Sequence, residues 1–265
     1  MFSGFIILKI IFLSTLLFLS SNFITAQTVD DQHSLFTQIL QDYISNGLVK
    51  YKKLKDDKRL DKYIKQLENS NPQKIVNEKN LLASWINVYN AYTLKFIVEE
   101  YPVESINELH WGGLYLGSLL GTTIWDDEKI IINGTELSLN NIEHDIIRRK
   151  FDEERIHFAL VCASISCPPL LNEAYEGYKL DKQLGEQAKL FFNDVTKNKF
   201  DKNTQTVYLS KILSWYEDDF GVNEQAILIY IAQFIDKETA DDITSNLSEW
   251  DIKYMSYNWD LNEYK

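Results

Sequence analysis

Between Ile156 and Leu170 the chain reads IHFALVCASISCPPL, a stretch that holds both cysteines of the protein, one of its four histidines and two of its four prolines. A thiolate is a strong nucleophile and a soft metal ligand, and an imidazole nearby is the group that generates it near neutral pH. Three readings of the pair stay open on these residues alone. Cys162 and Cys167 close a small disulfide loop in a binding or structural domain. Alternatively, one of them is the nucleophile of a thiol-dependent hydrolase or acyl transferase. As a lesser alternative both join His144 and His157 as metal ligands, although four residues between the cysteines lies at the edge of the usual zinc spacing.

The spacing also limits which histidine can serve which sulfur. Ile156 to Cys162 reads as a short buried strand that Pro168 and Pro169 force out of a sheet. Along such a strand His157 and Cys162 lie roughly 16 Å apart and on opposite faces, too far to form a hydrogen-bonded pair. The base is then His144, or else Cys167 folds back through the turn to meet His157. Glu143 sits next to His144 on a helix, where adjacent side chains diverge by about 100°, so it does not simply orient its neighbour. In the catalytic reading a cysteine thiolate attacks an amide-type bond, His144 is the general base, and Asn90 or backbone amides stabilise the oxyanion. Asn87 and Asn90 share a face of an apolar helix, where amides must find partners. They either pin that helix to neighbouring backbone or serve the site.

These residues need a frame, and the apolar periodicity supplies one. Helices are expected over Asp30 to Ile44, Lys58 to Leu67, Glu78 to Glu100, Leu180 to Asn193 and Gln225 to Ile235, with a further helix opened by Ser138 as N-cap. The Glu78 helix is long, apolar on a wide face and closed before Pro102, which makes it central. Extended segments are expected at Leu48–Tyr51 and Thr206–Leu209, and an Asn133-Gly134 turn after Lys129–Ile132 suits a hairpin. The aromatic tail from Tyr254 to Leu261 is expected to dock as a final strand. The fold class is α+β, a central apolar helix packed with several helices on a small, mostly antiparallel sheet.

Residues 1–26, MFSGFIILKIIFLSTLLFLSSNFITA, carry one charge and a long apolar run before a polar chain. They are expected to be a secretory signal peptide, leaving 27–265 as a single domain in a periplasmic or secreted, oxidising setting. The formal net charge of -12 opposes a nucleic-acid surface and an anionic membrane surface, both of which need a positive field. No phosphate-cradling glycine loop, dinucleotide fingerprint or HExxH is present, so no cofactor is expected. The substrate is unidentified, peptide-like if the thiol chemistry holds.

Five blocks in order resemble the domain-of-unknown-function 547 family: ASWINVYNAYTL, LSLNNIEHDIIR, RIHFALVCASISCPPL, SKILSWYEDDF and YNWDLN. The resemblance extends from about Lys50 onward and leaves out the leader and the first helix. It places Asn87, Asn90, Glu143, His144, His157, Cys162, Ser166 and Cys167 at matching positions, while implying no assigned activity. By analogy, a papain-like or transglutaminase-like arrangement is expected.

Overall fold

A computed structural model describes residues 29–109, 123–126 and 129–265. The expected leader and the glycine-rich segment around His110 lie outside these residues. Helix α1 (Val29–Tyr43) runs into a tight hairpin of β1 (Ile44–Ser45) and β2 (Leu48–Val49), followed by α2 (Tyr51–Leu54) and α3 (Lys58–Glu68). These pack around α4 (Glu78–Glu100). The side chain of Asn77 accepts from the Asn80 amide and caps α4. Sixteen of its 23 residues are buried, the pattern of a helix enclosed by the fold rather than lying on its surface. Among the described residues no helix is long and apolar enough to cross a membrane.

The hairpin of β3 (Ile130–Ile132) and β4 (Thr135–Leu137) turns at Asn133 and Gly134, both with positive φ, as a type I′ turn requires. Ser138 then caps the next helix, its hydroxyl accepting from the Asn141 amide at 3.0 Å. That helix continues as a π-helix over Asn141–Ile147 and ends in one α turn, α5 (Arg148–Lys150).

Beyond residue 180 come α6 (Leu180–Phe192), β5 (Lys199–Asp201), β6 (Thr206–Leu209), α7 (Lys211–Trp215), α8 (Glu217–Phe220), α9 (Glu224–Ile231), α10 (Lys237–Ser245) and β7 (Asp251–Tyr254). β5 pairs antiparallel with β6, and β7 adds to β6 in parallel. The fold is α+β, as expected, with its strands divided among three small and mostly antiparallel sheets.

Two expectations about segments are corrected. Ile156–Cys162 is not a strand. A 3-10 helix spans Glu154–Phe158, with the Glu153 side chain accepting from the Arg155 amide, and the chain after it is irregular. The cause is Asn90 on α4, whose side-chain amide donates to the Ala159 carbonyl at 2.9 Å and accepts from the Val161 amide at 3.0 Å. A side chain thereby satisfies backbone groups that a strand would have offered to a sheet. The tail from Tyr254 to Leu261 docks only partly as a strand. β7 ends at Tyr254, and the residues beyond it cross the molecule as a strap with single bridges at Asp260 to Ser105 and Leu261 to Ser164.

Two apolar clusters fill the interior. One surrounds α4; the other gathers Phe191 and Phe192 of α6, Val207 and Leu209 of β6, and Leu228 and Ile231 of α9. The Cys-bearing segment joins them, because Ile156 and Val161 pack into the first while Phe158 packs into the second.

Candidate active site

Where the two clusters meet, a cavity of about 270 Å³ opens beside the cysteine turn. Cys162, Cys167 and His157 line it together with Glu143 and an aromatic wall of Tyr89, Trp125, Trp215, Tyr216, Tyr257 and Trp259. The sulfurs are joined as a Cys162–Cys167 disulfide, as the structural reading anticipated, with Cα atoms 6.2 Å apart. Ala163, with φ +64, reverses the chain just after Cys162 and lets it return to Cys167. A non-glycine residue in that region is uncommon, and here the surrounding backbone holds it: the Asn262 amide donates to the Ala163 carbonyl at 2.9 Å.

The strap fastens the turn from the other side. Ile165 donates to the Asp260 carbonyl at 2.8 Å, and Ser166 accepts from the Asn258 amide through its hydroxyl at 2.8 Å. Ser164 donates to the Tyr257 oxygen at 3.0 Å, and the Tyr257 hydroxyl reaches Cys167 Sγ at 3.4 Å. Burial pushes the Tyr257 hydroxyl up to about 12, so it stays protonated as a donor. The amide of Cys162 also points at Cys167 Sγ, 3.0 Å away.

His157 Nε2 lies 2.6 Å from Asp219 Oδ2, and its ring stacks on Tyr216 with centroids 4.0 Å apart. The His157 ring, followed by the Arg148 guanidinium, holds the Asp219 carboxyl well below the usual carboxylate range. An ionised Asp219 fixes the tautomer: Nε2 carries the proton and donates, leaving the Nδ1 lone pair as the basic one. Glu143 is 6% exposed and accepts from the Tyr216 hydroxyl at 2.7 Å. Burial, and after it the Glu143 charge, pushes the Tyr216 hydroxyl far up, so this donor also keeps its proton.

Of the six residues expected at the site, four line one cavity: Cys162, Cys167, His157 and Glu143. His144 does not. It is exposed and pairs through Nδ1 with Arg148 at 3.0 Å, because the helix turns its neighbour Glu143 inward instead. The strand argument that separated His157 from Cys162 falls with the strand itself, and His157 lines the cavity together with both sulfurs. Asn90 is committed through both amide atoms to the Ala159 and Val161 backbone, and Asn87 likewise bonds the amide and carbonyl of Tyr175 at 2.9 and 2.8 Å. Both are positioning residues that clamp α4 to loops. Among the described residues no group of three or more His, Cys, Asp or Glu is arranged to hold a metal.

Sequence reasoning overlooked Asp219, Tyr216, Tyr257 and the two tryptophans of the wall that follow Trp125. Their signal was present in the blocks SKILSWYEDDF and YNWDLN, where aromatic residues stand beside acids and amides. No curated protein and no solved structure matches the chain. Residues 73–192, the span that carries both asparagines, Glu143, His157 and both cysteines, match the family described as "Protein of unknown function, DUF547".

Proposed function

We propose that this chain is an exported thiol-dependent hydrolase or acyl transferase in which reduced Cys162 attacks an amide-type bond and His157, held by Asp219, is its base. The observation that carries this reading is that both sulfurs and a carboxylate-held imidazole line one cavity, the set of parts that thiol hydrolases use. Cys162 is the half-buried sulfur, whereas Cys167 is 5% exposed, so Cys162 is the one a substrate carbonyl reaches. His157 Nδ1 takes the thiol proton and returns it to the leaving amine; water or another acceptor then releases the acyl group. The Cys162 backbone amide is the oxyanion donor. The disulfide is the resting form in an oxidising compartment, where such bonds persist, and a dithiol reductant opens it.

The test is acylation of the full chain by p-nitrophenyl acetate after reduction, followed by peptide mass mapping. An acetyl adduct on Cys162 is expected in the reduced protein. Oxidised protein and Cys162→Ser should lack it, and His157→Gln should slow its formation. Reduced protein that acquires no adduct on either cysteine would overturn the proposal.

A second reading is favoured by the disulfide itself. With the sulfurs bonded to each other neither is a nucleophile, and the cavity is the binding site of a non-enzymatic domain.

A further inference from the structure

We infer that the cavity takes an organic cation, with an ammonium group seated against aromatic faces and the Glu143 carboxylate. The inference rests on this cavity being a ligand site, and it does not require its sulfurs to react. Three observations point the same way.

The first is the wall. Trp215, Tyr257 and Trp259 pack on one another with ring centroids 4.4 to 5.5 Å apart, and all three border the cavity with Trp125 and Tyr216. Aromatic faces carry negative quadrupole density and attract a cation that lies within about 6 Å of the ring centre. Trp215 is 48% exposed, so part of its ring is open to a ligand at this wall.

The second is the charge within the wall. Glu143 is buried, and its partners are hydroxyl groups: the Tyr216 donor and, more weakly, Tyr89. Among the described residues no lysine, arginine or histidine forms an ion pair with it within 4.0 Å. Arg148, which feels the Glu143 carboxyl at a distance, is engaged by both oxygens of Asp219 and lies over the Tyr216 ring. The close partners of this buried carboxyl are hydroxyls, and a cationic ligand offers it the direct ion-pair partner that they do not.

The third is size and field. A space of about 270 Å³ exceeds the roughly 150 Å³ cavity that holds a benzene ring, yet falls below the ~300–1,000 Å³ range of sites for drug-sized ligands. It fits one side chain or one small headgroup. The chain's net charge of -12 draws cations and repels anions at long range.

A lysine-like primary ammonium and a quaternary ammonium headgroup share this chemistry, and the experiment separates them. The full chain, kept oxidised so that thiol reactivity plays no part, is titrated by tryptophan fluorescence and calorimetry with choline, with n-butylammonium and with 3,3-dimethylbutan-1-ol, the uncharged isostere of choline. Saturable one-site binding of a cation, at least tenfold tighter than the uncharged alcohol, is expected. The tighter of the two cations identifies the source. Glu143→Gln, which keeps an acceptor for Tyr216, should bring cation and alcohol to within about twofold of each other; Trp259→Leu should weaken cation binding while leaving the urea midpoint near that of the parent. Equal binding of alcohol and cation, or no saturable cation binding, would overturn the inference. Failure of the acylation test would leave these titrations unaffected, so the two proposals fail separately.

Discussion

His157 and Asp219 meet through Nε2 and Oδ2 at 2.6 Å across 62 positions of sequence, and Arg148 closes the same carboxylate from its other side at 2.7 and 2.8 Å. Asp219 therefore ties the 3-10 turn before the cysteines to α8 and to the end of the π-helix at once. The hydrogen bond to one half-buried carboxylate fixes the direction of the only histidine that lines the cavity among the described residues.

Asp219→Asn should consequently cost stability in a pH-dependent way. The native carboxyl sits below its unfolded value of 3.8, so its contribution is fully present above that value and fades as pH falls through the depressed native one. Urea midpoints of parent and variant should differ most near neutrality and converge as pH drops below about 4. A difference that stays constant from neutral to acid pH would show that the carboxylate charge is not what matters.

Asn90→Leu should destabilise the protein by about 2 to 6 kcal/mol, because the Ala159 carbonyl and the Val161 amide each lose a buried partner at about 1–3 kcal/mol apiece. Denaturant unfolding measures it. An unchanged midpoint would remove the clamp from the account of how the cysteine segment is held.

Burial lowers His33 to about 4, against which the Glu176 charge works only partly, while its Nδ1 bonds the Tyr63 hydroxyl at 2.6 Å. Below pH 6.5 the unfolded chain takes up a proton that the folded chain refuses, so stability is complete above 6.5 and declines towards pH 4 by about 3 kcal/mol. In His33→Phe the slope of unfolding free energy against pH should flatten within that window. An identical slope in parent and variant would assign the acid sensitivity elsewhere.

Gly47 has φ +77, and a β-carbon placed there would come within 2.7 Å of Pro169 Cα. Gly47→Ala should therefore cost about 2 kcal/mol or more, through left-handed strain and a clash that displaces the Pro168-Pro169 end of the cysteine turn. Thermal unfolding reads the loss. A fully stable Gly47→Ala variant would mean that the hairpin and the turn can part without penalty.

What was legible beforehand was what short-range physics decides. The end of α4 follows from the proline after it, the β3–β4 hairpin from Asn133-Gly134, and the helix after it from Ser138. The cysteine segment was misread because an apolar run is ambiguous between strand and irregular core, and here the deciding partner is an amide 69 to 71 residues away. The outward facing of His144 was missed for a related reason. An i+5 bond from the Arg148 amide to the Glu143 carbonyl widens the helix, and no local pattern of types announces which of two adjacent residues then faces inward. The sulfurs were located correctly; the acid that holds their histidine and the rings that face them arrive from distant segments.

The strap that carries Tyr257 and Trp259 touches the cysteine turn from about ninety residues downstream, and that distance sets an order of events during synthesis. A growing chain that has delivered both cysteines and His157 still lacks one side of the cavity. The site is closed only when residues 257–262 have emerged and laid themselves across Ser105, Ala163 and Val49. The wall that faces the cysteines is thus the last part of the site to be made.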